Sequence, residues 1–557
     1  MIRHPLRTLI RYGIALVSLF GGVPAMVHLA NLFTPTGATY SWWAPTLTAS
    51  LVGGHPLPAA APALLIVLVV LVIASLVAVS FIRRRPRSKS KQAAALLNKR
   101  KNVAALRHKS RAQEAQRLHP NAEGLAPGLE LGWYKNRPSD CAYQGWRDCA
   151  LAILGTGRGK TSAMVVPRII AAPGAAVMTS NKVDGVAEVI AGRTGNGTRK
   201  VFIFDNQGIY TDGTPTFTVD LLSPVRSMRE AEELAWILDD SSQPEGEPAK
   251  KDPHFDPAGR GLLSCFLLAA ALEPGTLLST VYEWVALQNG ADPERILRTA
   301  GKVGPANTVR GVMKQPEKTR GSIFAVAQRM ASALGDDDLM RWTVPARGLP
   351  VFDVEAFLRS RDTLILLSQA GPGSGAAVVT GLLQAVCARA EHYAAASGGR
   401  LPIPLVVEAD ELGNTVRWRR LPAQVSHFGS KGICVTGYLQ SYEQGIGIFS
   451  KAGMDSLYDG CSIRVYGGGS NDERWLSGLS RLIGSYEKKT STVSSGRGGV
   501  NTSVALQQTP ILDTSDLASM DEWDAVIFSG KARPALVRMR PWWERPELDE
   551  LVKAGLA

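Results

Sequence analysis

Acidic residues are missing altogether from Met1 to Ile82, where Arg3, Arg7 and Arg11 are the only Lys or Arg side chains. Also lacking is any C-x-x-C pair. The six cysteines (Cys141, Cys149, Cys265, Cys387, Cys434, Cys461) lie far apart with no Cys/His grouping at metal-ligand spacing, so no zinc site is written into the chain. Cys265, Cys387, Cys434 and Cys461 fall in apolar runs, where a thiol packs as a small hydrophobe, and the set reads as reduced and structural in a cytoplasmic body. No internal repeat is visible. What is present is ordinary for a folded protein: 557 residues, 45% apolar and 20% charged, enough for two or three domains and too apolar for disorder throughout.

The formal charge of +13 points toward nucleic acid only if it belongs to the body of the protein, and it does not. Residues 1–117 hold sixteen of the 62 Lys and Arg but only one of the 49 acids, Glu114. Thirteen of those sixteen crowd into Arg83 to Arg117, and the 46 basic and 48 acidic residues from Leu118 onward nearly cancel.

Ala63 to Ile82 is an uncharged run about as long as a helix needs to cross a hydrocarbon core. An earlier uncharged stretch, Gly13 to Phe33, carries Pro24, His28 and three glycines and reads as a second span, with a cleaved signal peptide as the other reading. Arg3, Arg7 and Arg11 precede the first run and Arg83-Arg84-Arg85 follow the second, while the intervening Thr34 to Pro62 has Trp42 and Trp43 but no Lys or Arg. The positive-inside bias then places both termini in the cytoplasm of a multi-pass protein, with the loop outside. The expected organisation is a two-helix anchor over 1–82 and a basic juxtamembrane linker over 83–120. Anionic lipid attracts such charge by about 1 kcal/mol per residue; contact with DNA at a channel entrance and a plain solvated linker are the other readings.

Beyond Pro120, β-rich apolar runs alternate with helical stretches, the pattern of a parallel sheet covered by helices. Strands are expected at Ala150–Leu154, Ala175–Thr179, Val201–Phe204, Thr363–Leu367, Leu405–Val407, Ile433–Tyr438 and Ser462–Tyr466. Between about Val225 and Met340 strand signals nearly vanish, so an all-helical segment over 226–344 is expected to interrupt an α/β domain made of 121–225 and 345–557. Lys488 to Pro510, polar and rich in Ser and Gly, reads as a mobile loop.

The first expected strand runs into Gly155-Thr156-Gly157-Arg158-Gly159-Lys160-Thr161-Ser162 and then into a helical stretch. A strand, a glycine turn and a helix start gather backbone N–H groups and the positive helix end around one anion. Lys160 would reach the β- and γ-phosphates and the Thr161 hydroxyl would ligate Mg²⁺, so ATP and Mg²⁺ are the expected cofactors. Downstream, Leu405-Val406-Val407-Glu408-Ala409 leads to Asp410-Glu411, the arrangement in which an Asp holds Mg²⁺ and a Glu serves as general base toward water. Glu408 has no role in that scheme. A further run, Gly432 to Leu439, ends in Gln440, placed to touch both the γ-phosphate and the lytic water if it lies at the same sheet edge.

These residues, in this order, resemble the TraG/TraD-type conjugative coupling proteins, motor ATPases related to the FtsK-type DNA pumps. Val165-Val166-Pro167-Arg168-Ile169-Ile170, Ser180-Asn181-Lys182-Val183-Asp184-Gly185, Asp252-Pro253-His254-Phe255 and Glu317-Lys318-Thr319-Arg320-Gly321-Ser322 are similar to family segments. So are Asp410-Glu411-Leu412-Gly413-Asn414, Gln440-Ser441, Gly467-Gly468-Gly469-Ser470-Asn471-Asp472 and the closing Arg533-Pro534 and Arg540-Pro541-Trp542-Trp543. The resemblance implies a RecA-like P-loop nucleotide-binding domain with an inserted all-α domain, preceded by two N-terminal transmembrane helices in the bacterial inner membrane. It also implies a homo-hexameric ring that delivers single-stranded DNA with its relaxase, or an effector protein, into a type IV secretion channel. Departures are Leu154 for the first loop glycine, Asn181 for an Asp, and Gly429-Ser430-Lys431 where the family carries a trans-acting Arg. Lys431, Arg417, Arg419 and Arg420 are the candidates for that last role. An FtsK-type double-strand translocase and a non-hydrolysing membrane scaffold are the competing readings.

Overall fold

The computed structural model describes residues 21–54, 56–70, 89–195, 197–243, 252–345, 348–371, 374–413, 415–496 and 499–556. Two compact units divide at Ser88.

In the N-terminal unit, apolar helices cover Val23–Phe33 and Ala61–Val70. They fall within the two expected spans, whose remaining residues lie outside the described ones. Between them a short helix, Ala44–Val52, packs Leu47 against Val27 and Tyr40. The Tyr40 hydroxyl donates to the Pro56 carbonyl at 2.5 Å, and His28 stacks on Trp42 with ring centroids 3.9 Å apart.

The second unit is built on one eleven-stranded sheet. In chain order its strands are β1 (Leu129–Tyr134), β2 (Arg137–Gln144), β3 (Ala150–Ile153), β4 (Ala176–Ser180), β5 (Val201–Phe204), β6 (Thr363–Leu367), β7 (Leu405–Ala409), β8 (Ile433–Leu439) and β9 (Ile463–Tyr466). A separate hairpin, β10 (Ser485–Gly496) with β11 (Gly499–Pro510), precedes the last sheet strands, β12 (Asp524–Ser529) and β13 (Ala532–Arg538). Across the sheet the order is β2-β1-β13-β12-β9-β3-β8-β7-β4-β6-β5. The stretch from β9 to β5 is parallel, and its short apolar strands β3, β4, β6, β7 and β8 are buried at every residue. That is the signature of strands covered on both faces. The antiparallel β12, β13, β1 and β2 extend it on one side.

Between β5 and β6 the described chain is helical: Met228–Ser241, Phe255–Leu272, Leu278–Ala286, Ala291–Thr299, Val303–Met313 and Glu317–Met330 are its longer helices. Phe255–Leu272 is the one described helix long and apolar enough to cross a membrane. It instead buries Leu262, Leu263 and Cys265 to Ala270 against its helical neighbours, as the central helix of a bundle does.

Two expectations are corrected. Residues from Lys89 do not run free as a linker: Lys89–Leu97 turns Ala93, Ala94 and Leu97 into the core, and Asn98 donates to the Leu536 carbonyl at 2.6 Å while accepting the Leu536 N–H at 2.9 Å. Apolar residues between the charges give this segment a face to bury. Lys488 to Pro510 is not an irregular loop but most of a hairpin with an unbroken register from Ser485↔Pro510 to Gly496↔Gly499. Its Thr and Val content favours extended backbone even though its polarity resembles that of a loop. All six cysteines are buried and free.

Candidate nucleotide-binding site

The sheet order decides what meets what. β8 lies between β3 and β7, parallel to both, so the segments leaving their carboxyl ends converge: the glycine loop after β3, Asp410-Glu411 after β7 and Gln440 after β8. Ligands of open α/β sheets sit at this edge.

Gly157 and Gly159 have φ of 73° and 72°, a region where L side chains are strained, so the loop's shape depends on them. Leu154, in place of the family's first glycine, is fully buried and extends β3 by donating its N–H to the Leu439 carbonyl at 3.0 Å. The loop therefore turns one residue later, at Gly155, whose N–H donates to Gly468 O at 3.0 Å and whose Cα leaves no room for a Cβ, which would lie 2.8 Å from Gly469 Cα. Gly467 in turn faces Leu154: a Cβ there would stand 2.5 Å from Leu154 Cδ2. The triple glycine is the mould that accepts the displaced loop. Arg158 closes the far side by donating to Met520 O at 2.7 Å.

After the loop, Thr161–Val165 forms a π-helical turn that passes into an α-helix, Val166–Ile170. Pro167 has no N–H to give to the Ala163 carbonyl four residues back, and Arg545 Nη2 supplies that bond at 3.0 Å.

At the centre, Thr161 Oγ1 donates to Asp410 Oδ2 at 3.0 Å, and Lys160 Nζ lies 3.1 Å from Asp410 Oδ1 and bonds Glu411 Oε1. Gln440 Nε2 donates to Glu411 Oε2 at 3.1 Å, and the Gln440 carbonyl faces Thr156 Oγ1 at 3.4 Å. Glu411 has a φ of 55°; a non-glycine residue in that region stores strain of the kind found at functional positions. Burial pushes the Asp410 carboxyl above its ordinary range despite the attraction of Lys160. Burial works to lower the Lys160 ammonium, but Asp410 and Glu411 outweigh it and hold it above the ordinary value.

All the residues expected at this site, Gly155 to Ser162, Asp410, Glu411 and Gln440, line one pocket, together with Asn181, Lys182, Trp542 and Trp543. The two tryptophans had no assigned part in the sequence reading. Glu408 lies outside the pocket, fully buried beneath it: Arg168 Nε donates to Glu408 Oε1 at 3.0 Å, and Tyr438 donates to its other oxygen. Arg168 Nη2 also reaches Gln144 Oε1 at 2.6 Å and Thr436 Oγ1 at 2.7 Å. Of the candidates for a trans-acting cation, Arg417 donates to the Asp240 carbonyl at 2.9 Å, Arg419 pairs with Asp240 at 3.0 Å, Arg420 with Glu233 at 2.6 Å and Lys431 with Glu391 at 3.8 Å. The three arginines thus tie this loop to the helix Met228–Ser241 and the residues just after it.

Two family profiles match the chain: "Type IV secretory system Conjugative DNA transfer" over residues 88–342 and "TraM recognition site of TraD and TraG" over residues 404–522. Among solved structures the fold is similar to that of the bacterial conjugative coupling protein TrwB. The unbound form aligns with a TM-score of 0.53 and 16% identity, over 71% of this chain and 85% of that one. The complex of TrwB with ADP and Mg²⁺ gives a TM-score of 0.53 and 14% identity over 76% and 92%. That with a non-hydrolysable ATP analogue gives 0.51 and 14% over the same shares. No curated protein sequence matches the chain.

Proposed function

This chain belongs to the TraG/TraD-type family of conjugative coupling proteins, and from that premise we propose that it is a membrane-anchored ATPase. Its hydrolysis would drive DNA, carried with its relaxase, or an effector protein into a type IV secretion channel. The observation that carries the catalytic part is the meeting of three strand ends in one pocket, where Lys160, Thr161, Asp410, Glu411 and Gln440 are joined by direct contacts.

The donor set fits a nucleotide with Mg²⁺. The positive-φ glycines open the backbone toward an anion, and a hydroxyl and a carboxylate 3.0 Å apart are hard oxygen donors of the kind this cation takes. Thr161 and Asp410 would hold Mg²⁺, which when bound neutralises charge on the phosphates. Lys160 then binds phosphate oxygens, and the loop from Gly155 to Ser162 orients the chain of phosphates with its N–H groups. Glu411 accepts the proton of the attacking water at a carboxylate oxygen, and Gln440, already bonded to Oε2 of Glu411 at 3.1 Å, orients the pair.

The anchor reading is supported by Ala61–Val70, where Ile66, Val67, Val69 and Val70 are 50–65% exposed: a row of bare aliphatic side chains suits lipid. The reading is a multi-pass protein of the bacterial inner membrane with the ATPase unit and both termini cytoplasmic, assembled as a homo-hexamer. Turnover measured with and without DNA tests the catalytic part. Lys160→Ala should lose ATP hydrolysis, and unchanged turnover in that variant would remove the proposed site.

A further inference from the structure

Beside the glycine loop lies an aromatic group for which the hydrolytic scheme has no use. Trp523, itself at a φ of 69°, packs its ring on Gly159, where a Cβ would come within 2.1 Å of Cζ3. Trp543 meets Trp523 edge to face, with centroids 6.1 Å apart at 90°, and meets Trp542 at 5.4 Å and 86°. The segment carrying Trp542 and Trp543 is fastened to the phosphate-loop helix. Arg545 donates to Ala163 O at 3.0 Å and to Glu130 at 2.8 Å, while the Met539 N–H donates to Trp523 O at 2.7 Å.

Trp543 is nonetheless 48% exposed, and it lines the same pocket as the loop. Core packing does not account for a large ring held half open at the mouth of a phosphate pocket by neighbours that fix its position. A pre-positioned π face there suits a planar heterocycle, since aromatic side chains supply contact area at little entropic cost and stack offset on other rings.

We propose that Trp543 is the platform for the base of the bound nucleotide, with the triphosphate in the Gly155–Thr161 loop and a purine ring on the open face of the indole. The inference rests on that loop being the phosphate site. Stacking reads area rather than base edges, so ATP and GTP bind alike and a pyrimidine triphosphate binds less tightly.

Calorimetric titration of the full-length protein with Mg-ATP and with Mg-tripolyphosphate, which has the phosphates without the base, tests it. Trp543→Leu keeps apolar bulk but lacks the π face. It should weaken ATP about tenfold, equivalent to ~1.4 kcal/mol, and leave tripolyphosphate unchanged, while Trp543→Phe keeps most of the ATP affinity. Lys160→Ala should weaken both ligands. Unchanged ATP affinity in Trp543→Leu overturns the proposal, as does an equal loss of ATP and tripolyphosphate, which marks a structural role. A wild type that binds neither ligand overturns the phosphate site and this inference together.

Discussion

Replacing Arg168 by Met tests how the site is held together. Arg168, on the helix that follows the phosphate loop, and Glu408, two residues before Asp410 on β7, have side chains 1% and 0% exposed and lie 3.0 Å apart. Taking two such charges from water costs several kcal/mol each, recovered only while both partners are present. Arg168→Met leaves the Glu408 carboxylate with the Tyr438 hydroxyl alone and strips Gln144 and Thr436 of their donor, so about 3–5 kcal/mol should be lost. Burial already pushes the Glu408 carboxyl above its ordinary range; uptake of a proton therefore softens the loss toward the lower figure. Glu408→Gln leaves the guanidinium uncompensated and should cost a similar amount. With both replaced neither charge is buried, and the double variant should be more stable than the sum of the single losses predicts, by about 2–3 kcal/mol. Urea unfolding of the wild type and the three variants, followed by tryptophan fluorescence, gives the cycle. The reasoning is refuted if the single losses simply add, or if Arg168→Met costs less than about 1 kcal/mol.

Glu411→Gln should still bind ATP and release it unhydrolysed far more slowly than the wild type turns it over; hydrolysis at full rate would remove Glu411 as the base. Gly155→Ala places a Cβ 2.8 Å from the Gly469 backbone, which no rotamer relieves, so nucleotide affinity should fall by roughly tenfold or more, a loss comparable to that of a broken loop contact. Gly311→Ala is its control, in the helix Val303–Met313 with open space around the added methyl, and it should raise stability by about 0.5–1 kcal/mol. Asp513 caps the short helix Thr514–Ala518 and is held down to about 2 from 3.8 by the Ser515 hydroxyl, the Asp516 N–H and Lys89. Because its folded value is the lower one, it stabilises the protein above pH 3.8 and loses that effect as the pH falls toward about 2. Asp513→Asn should make the acid limb of a circular-dichroism titration shallower in that window, and an unaltered limb would exclude the carboxylate as its source.

What was legible in the sequence was whatever a local pattern specifies. Short apolar runs mark β3 to β9 to within two residues at each end, and in β3, β4, β6, β7 and β8 both buried faces demand the same kind of side chain. The edge strand β2 and its neighbour β1 were not legible: Gly132 and Pro138 interrupt them, and β2 exposes Pro138 and Ser139, so neither period nor run stands out. The hairpin was hidden by its Ser and Gly content. In the site, the loop, the acidic pair and Gln440 are each announced by a motif, but Glu408 is not. Its partner Arg168 lies 240 positions away, so no local spacing joins the two. Trp542 and Trp543 stand in a segment similar to the family, but no spacing in the sequence places them at the pocket of the glycine loop.

The contacts around Lys160 join the residues to which the proposed function assigns the chemistry. Its ammonium pairs with Asp410 and Glu411, so the proposed phosphate cation, Mg²⁺ ligand and base lie in direct contact with one another. Those carboxylates keep the ammonium charged, since they hold its pKa above the ordinary value, and it therefore retains full attraction for phosphate. On the proposed function, a phosphate bound in the loop would compete with Asp410 and Glu411 for this one ammonium, while Gln440 is bonded to Oε2 of Glu411.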